Sequence, residues 1–390
     1  MEQEVLFQVT KESLETGLRG VPVGYCPTST VDSQKGLFYV GHPIDKLAQW
    51  DPERVIFLLY RGYEGTDKEL QAFKKDLKKR AFCSSEALEH VLKLPRVGHS
   101  MSLYAAALLI LGMYEATGDY NEDCLNLIAK TPQLTATVIN HHAGWGATPA
   151  SRPELGYIEN FSQMLNVPQG KDSQLEKLFK LFNILHYDHG GGNLSVFVGK
   201  AVASGLDDLY GSVCSAMNAL AGPLHGRANQ QCLYFVQEAL DKLGEKAEEK
   251  DVEEFIRNKL AKKELIFGFG HAVLRVEDPR ATVLYQFGQK HYTDHPLVKM
   301  ALLIRSAGSK VLKETGKVAS PYTNVDAVSG VLLSAAGFTY PQYYTMLFGM
   351  ARIVGISIQI VYERCQARGG KGTPIVRPKY LYKEREKPKQ

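Results

Sequence analysis

From Tyr343 to Tyr362 the chain reads YYTMLFGMARIVGISIQIVY, an apolar stretch whose single charge is Arg352. The run is too long and too uninterrupted for a surface element, so it predicts a core helix around which the rest of the chain must pack. Helical spacing dominates elsewhere. Leu70, Phe73 and Leu77 recur at three and four residues in DKELQAFKKDLKKRAF (67–82), with lysines opposite. Val252, Phe255, Ile256 and Leu260 repeat the pattern in DVEEFIRNKLAKKEL (251–265), as do the apolar residues of QLEKLFKLFNILHYDH (174–189). Alternating runs are scarce, KGLFYVG (35–41) being the best strand candidate. The expected fold is mainly α, without internal repeats.

Composition narrows the class. With 390 residues, 44% hydrophobic and 23% charged, the chain reads as soluble globular material large enough for two lobes. The net charge of +4 equals that of the C-terminal RPKYLYKEREKPKQ alone, where six Lys or Arg stand against two Glu. A near-neutral body lacks the basic face that phosphate backbones require, so no nucleic-acid partner is expected. The tail itself reads as a solvated terminus or a contact for an acidic partner. Cys26, Cys83, Cys124, Cys214, Cys232 and Cys365 form no CxxC and read as reduced thiols. The N-terminus carries acids early and no long apolar region, which argues against secretory and transit leaders and predicts a cytoplasmic protein. MSLYAAALLILGMY (101–114) falls short of the ~20 residues of a membrane span and predicts a buried helix.

Three short stretches each set one ionisable residue among glycines and apolar neighbours: His225 in AGPLHG (221–226), His271 in GFGHAVLRVEDPR (268–280) and Asp326 in NVDAVSG (324–330). Glycine permits the sharp turns and close approach that a side chain working on a small ligand needs. Gly222 and Pro223 break a helix before His225, with helix resuming near Arg227, and FGFG (267–270) breaks the chain before His271. Asp326 opens a helix, where it serves either as a cap or first-turn acid or as a general base toward a carbon acid. Arg352, alone in its apolar helix, needs either an internal carboxylate or a ligand. Its company with Arg280 and Arg377 points to a polycarboxylate, which the guanidinium fork grips with two bonds. His186, Asp188 and His189, and the adjacent His141 and His142, raise a metal site, but no HExxH or cysteine pair completes one. GGGN (190–193) follows a helix rather than a strand and is a poor phosphate loop. Neither a metal nor a bound cofactor is expected.

These motifs together resemble the citrate synthase family. The most specific is GFGHAVLRVEDPR, a glycine-flanked histidine with an arginine nine residues on, joined in the family's order by HYDHGGGNLS, NALAGPLHGRANQ, NVDAVSGVLL, the helix of Arg352 and RPK. The resemblance spans about residues 15–381, is densest after 180, and is to the eukaryotic-type sequences. It implies a helical, two-domain homodimer that closes over its substrates, with a large domain of residues 1–225 and 332–390, a small domain of 226–331, and a cleft for oxaloacetate and acetyl-CoA. It further implies an acyltransferase of the tricarboxylic acid cycle, with acetyl-CoA as substrate. In that reading Asp326 removes the methyl proton of acetyl-CoA, His225 hydrogen-bonds the thioester oxygen, and His271 polarises the oxaloacetate carbonyl. His189, Arg280, Arg352 and Arg377 would hold oxaloacetate, Arg377 reaching into the partner's site. Ile266, Phe267, Gly268, Phe269 and Gly270 would recognise the adenine of coenzyme A, with Asn324 beside them. Arg275 and Lys317 would contact its phosphates unless they are solvated charges. Asn193 and Ser195 would orient a catalytic histidine or hydrogen-bond a turn. The rival readings are 2-methylcitrate synthase acting on propionyl-CoA, a non-catalytic dimeric scaffold, and a His/Asp metal hydrolase. Two departures stand out: Thr323 replaces a proline common in relatives, predicting looser backbone at Asp326, and ARGGKGTP (367–374) lengthens the approach to Arg377.

Overall fold

The structure, a computed structural model, describes residues 5–152, 154–168, 172–316 and 318–385. After a 3-10 turn at Glu12–Glu15, the strands β1 (Ser29–Asp32), β2 (Gly36–Tyr39) and β3 (His42–Pro43) form an antiparallel sheet in that order, with Ser29 opposite Tyr39 and Phe38 opposite Pro43. Helices follow: α1 (Ile44–Leu47), α2 (Pro52–Arg61), α3 (Asp67–Arg80), α4 (Ser85–Val91), α5 (Ser100–Glu115), α6 (Tyr120–Ala143), α7 (Tyr157–Met164) and α8 (Leu175–His186). Then come α9 (Leu194–Ala203), α10 (Leu209–Leu220), α11 (Ala228–Leu243), α12 (Glu249–Ala261), α13 (Pro279–His291), α14 (Pro296–Thr315), α15 (Asp326–Ala335) and α16 (Tyr344–Val361). The fold is mainly α, as the periodicity predicts.

Local rules account for the boundaries. Thr66 and Glu69 close a capping box on α3, whose last turn carries Lys78, Lys79 and Arg80 to meet the carbonyl end of the helix dipole. Every residue of α16 is buried, and α5, α6, α8, α9 and α10 surround it. The segment Pro341–Gln366 is long and apolar enough to cross a membrane, but its most apolar window is buried throughout, which is the position of a core helix. A second set, α11 to α15, packs on itself: α11 lies on α15 and α12 on α14.

Two expectations change. The 101–114 run does form α5, but it is not wholly buried: Met113 is 80% exposed and Leu109 and Tyr114 also face out. The 174–189 pattern ends three residues early, at His186, so Asp188 and His189 leave the helix on a loop. The hairpin built around the KGLFYVG strand packs closely on α13. A Cβ at Gly36 would lie 2.3 Å from Cγ of Pro279, so no larger residue fits there without movement.

Candidate active site

The site is assembled from helix ends. The break after α10 is closed by hydrogen bonds from the Gly226 N–H to Leu220 O (2.9 Å) and from the His225 N–H to Gly222 O (3.0 Å). A Cβ at Gly226 would sit 2.5 Å from that Leu220 oxygen, so the turn needs glycine. On the facing helix, α9, the backbone N–H of Ser195 points at His225 Nε2 from 3.3 Å, with the Ser195 hydroxyl 3.1 Å away. Only an unprotonated nitrogen can receive that N–H, so the proton of the neutral ring lies on Nδ1. Asn193 Oδ1 in turn accepts from the Ser195 hydroxyl (3.1 Å). Burial, and then the charge of Arg352, lower His225 to about 4, which keeps it a neutral donor at physiological pH.

His271 carries the opposite tautomer. Its Nδ1 accepts from the backbone N–H groups of Val273 (3.0 Å) and Leu274 (2.9 Å), leaving the proton on Nε2. Burial and Arg280 lower it to about 4. Gly268 and Gly270, at φ +83° and +85°, make the turn that presents it, and a Cβ on Gly268 would lie 2.7 Å from that of Ala327.

That turn is joined to Asp326 by a short antiparallel bridge between Phe269 and Thr323. Gly270 N–H donates to Tyr322 O (3.2 Å), Asn324 N–H to Gly268 O (2.9 Å) and Asn324 Nδ2 to Gly270 O (3.0 Å). Thr323 does not loosen this backbone. It is 1% exposed, its hydroxyl donates to Glu277 (2.8 Å) and its carbonyl accepts from the Asp278 N–H (3.2 Å). Asp326 occupies the first turn of α15 but caps nothing; instead Asn324 Oδ1 accepts the Asp326 N–H at 3.1 Å. Its own Oδ1 is buried without a hydrogen-bond partner among the described residues. Burial raises its carboxyl to about 7, against the opposing pull of Arg280 and Arg352.

The predicted carboxylate ligands divide. Arg352 is fully buried, its Nε donates to His186 O (2.8 Å), its guanidinium lies 4.8 Å from the Phe348 ring centroid, and Nη1 and Nη2 have no partner among the described residues. Arg280 instead grips Asp278 through Nη2–Oδ2 (2.7 Å) and Nε–Oδ1 (3.0 Å). Burial works against its charge and Asp278 overrides that penalty. His189 packs its ring 5.2 Å from that of His271 and keeps a buried, unpartnered Nε2. Burial, Arg280 and Arg352 hold it well below the usual histidine range. Arg280 and Arg352 thus act together on His189 and Asp326, Arg352 also on His225 and Arg280 on His271, which gathers three catalytic candidates and three ligand candidates around one centre. Arg377 is not among them: it is exposed in the extended segment after the glycine turn, where the Val376 N–H is tied to Ser204 (2.9 Å).

The coenzyme segment is only partly available. Phe269 is an anchor rather than a free face, since a Cβ on Gly308 of α14 would lie 2.2 Å from its ring. Ile266, Phe267 and Gly270 keep partial exposure. Arg275 is exposed, and its Nη1 is turned back on the carbonyls of Val273 (3.0 Å) and Leu274 (2.8 Å), bracing the His271 loop. Lys317 lies outside the described residues. The metal candidates are otherwise engaged: His186 Nδ1 donates to Phe182 O (2.7 Å), His141 and His142 meet Leu94 O and the Tyr343 hydroxyl, and Asp188 faces hydroxyls. Asp278 and Phe348 were not anticipated. The DPR triplet that starts α13 signals the first as an N-cap, and only packing reveals the second.

Comparison with known proteins agrees with this geometry. The family model "Citrate synthase, C-terminal domain" matches residues 17–379. "Citrate synthase 4, mitochondrial" of Arabidopsis thaliana is 34% identical over 399 residues, covering 96% of this chain and 82% of its own. Citrate synthase from Thermotoga maritima MSB8 superposes with a TM-score of 0.80 at 27% identity, covering 96% of this chain and 97% of that one. The Thermoplasma acidophilum enzyme, solved as a ternary complex with carboxymethyl coenzyme A and oxaloacetate, gives 0.82 at 24% identity, with coverage of 96% and 97%, and supports the fold. The cytoplasmic expectation is overturned: this plant relative and three further ones are named as mitochondrial proteins. An acid-bearing N-terminus reports its own composition, not a compartment. With the family model spanning nearly all of a chain whose helix ends gather the family's histidine, aspartate and arginine motifs, the protein belongs to the citrate synthase family.

Proposed function

We propose that Asp326, His225 and His271 carry out the family's condensation of acetyl-CoA with oxaloacetate and water to citrate and CoA. A thioester methyl is too weak an acid for a carboxylate unless the developing enolate oxygen is stabilised at the same moment, a contribution of ~3–4 kcal/mol from one well-placed donor. Asp326 takes the methyl proton while Nδ1–H of His225, fixed by Ser195, donates to the thioester oxygen. The enol carbon attacks the oxaloacetate carbonyl, whose oxygen receives the Nε2 proton of His271. Water then cleaves the citryl thioester. Arg352 and His189 offer unoccupied donors for the carboxylates, and Arg280 adds its charge. The reaction uses acetyl-CoA as substrate and draws on acid–base groups of the chain itself.

The observation that supports this reading is the buried Oδ1 of Asp326, unpartnered among the described residues, under the same Arg280 and Arg352 that act on His271 and His225. A structural carboxylate would be hydrogen-bonded, and a binding scaffold has no use for a raised acid. The packing of α11 to α15 upon one another supports a reading in two lobes, residues 226–331 as the smaller and 1–225 with 332–390 as the larger, with the site between them. The exposed position of Arg377 supports a homodimer in which it completes the partner's site. Replacing Asp326 by Ala should abolish oxaloacetate-dependent CoA release while leaving oxaloacetate affinity within about twofold; retained turnover overturns the base assignment. Steady-state comparison of acetyl-CoA with propionyl-CoA tests the acyl preference, a difference of one methylene worth ~1–3 kcal/mol.

A further inference from the structure

Asp188 takes no part in the roles above, yet it is fully buried next to them. No ion pair to a Lys or Arg side chain satisfies it among the described residues. Its Oδ2 accepts from the hydroxyls of Thr28 (2.5 Å) and Ser29 (2.8 Å) on the hairpin side, and its Oδ1 from Gln359 Nε2 (2.8 Å) and the His189 N–H (2.9 Å). Helix α16 comes this close because residue 355 is glycine: a Cβ there would lie 2.7 Å from Asp188 Oδ1. Arg352 lies one turn before Gly355 and two before Gln359, on the same face of α16. The carboxylate is therefore beside the guanidinium, but its four hydrogen bonds hold it away, and among the described residues Nη1 and Nη2 of Arg352 stay unpartnered. Arg280 shows the alternative, a fork already occupied by Asp278.

We propose that Asp188 is a positioning residue, a fixed counter-charge that keeps Arg352 cationic in the core without occupying its fork, so that the fork is free to grip a carboxylate of oxaloacetate. The inference rests on the reading of Arg352 as an oxaloacetate ligand. Burial pulls Arg352 down to about 10, and Asp188 is the strongest influence opposing that pull. The other groups facing Arg352 are Tyr39 on β2, Arg280 on α13, Asp326 on α15, His225 after α10, and His186 and His189 at the end of α8. Of these only Asp326 is a second carboxylate, and Asp188 opposes the burial of Arg352 more strongly than it does.

Asp188→Asn isolates the charge. The Asn Oδ1 can keep the bonds from Gln359 and His189, and its Nδ2 faces two hydroxyls that are able to accept. Arg352 should then lose its proton at lower pH. A smaller charged fraction at alkaline pH should raise the KM for oxaloacetate severalfold at pH 9. The alkaline limb of kcat/KM for oxaloacetate should move toward neutrality, while the KM for acetyl-CoA and the melting temperature stay near wild type. A purely structural role would not shift that limb. Should Asp188→Asn fail to fold, Thr28→Val, which releases Oδ2 toward the guanidinium, must raise the same KM selectively. An unchanged oxaloacetate KM and limb in the folded variant overturns the inference. Arg352→Met separates the two claims: if it leaves oxaloacetate KM unchanged, the ligand reading itself falls, whereas a rise in Arg352→Met without one in Asp188→Asn rejects the counter-charge alone.

Discussion

Replacing Asp326 by Asn should abolish turnover and, above neutral pH, make the protein more stable. Burial raises this carboxyl from 3.8 to about 7, so the folded protein holds its proton more tightly than the unfolded chain does. Between those values the native state keeps a proton that the unfolded state has already lost. Stability is therefore lost as pH rises from about 4, and the loss is complete only above about 7. Three units at about 1.36 kcal/mol each set a ceiling of about 4 kcal/mol. Asp326 retains partial exposure, and the N-terminal dipole of α15 offsets about 0.3–1 kcal/mol, leaving about 2–3 kcal/mol. Asparagine avoids this penalty because it has no charge to bury. At about 2 °C per kcal/mol for a chain of this size, the variant should melt about 5 °C above wild type at pH 8. The gap should shrink to about a third at pH 5 as both proteins become neutral at this position. Calorimetry or circular dichroism of the two proteins across pH 4–9 measures it. A gap that does not change with pH, or a wild type that melts higher at pH 8, refutes the argument.

Ser195→Ala removes the hydroxyl beside His225 Nε2 and leaves one backbone donor at 3.3 Å. Losing about 1–2 kcal/mol of orientation should lower kcat about 5–30-fold with little change in either KM, and an unaltered kcat in steady-state assays would show that the hydroxyl does not help to orient His225. Gly268→Ala forces a Cβ to within 2.9 Å of the Ala327 backbone at a positive φ. It should cut kcat more than about tenfold and lower the melting temperature, because the strain falls on the turn that presents His271. Normal turnover and melting would show that the turn yields freely.

The helical framework was legible because its signal is local: α3, α8 and α12 each show three-and-four spacing, and α16 is apolar along its whole length. The candidate trio could be picked out because glycine beside an ionisable residue is a backbone requirement written in sequence. The hairpin was half legible, since β1 is only STVD and β3 only HP, too short for a period to register. Asp188 was seen in sequence only as a neighbour of two histidines in a metal reading that was set aside; its partners lie on Thr28, Ser29 and Gln359, which no local pattern connects to it. Thr323 was expected to loosen the chain for want of a proline, whereas a buried hydroxyl bonded to Glu277 fixes the segment by another route. The opposite tautomers of His225 and His271 depend on which backbone N–H faces each ring, information that exists only after folding.

The pairing of Phe269 with Thr323 makes His271 and Asp326 share one fate. Two main-chain rungs tie the segments that carry these two side chains before any ligand arrives. If those rungs melt, both groups leave register in a single event, while His225, moored to another helix by Ser195, is left behind. Mechanical integrity of a few residues of extended chain and competence for chemistry are, in this protein, the same quantity.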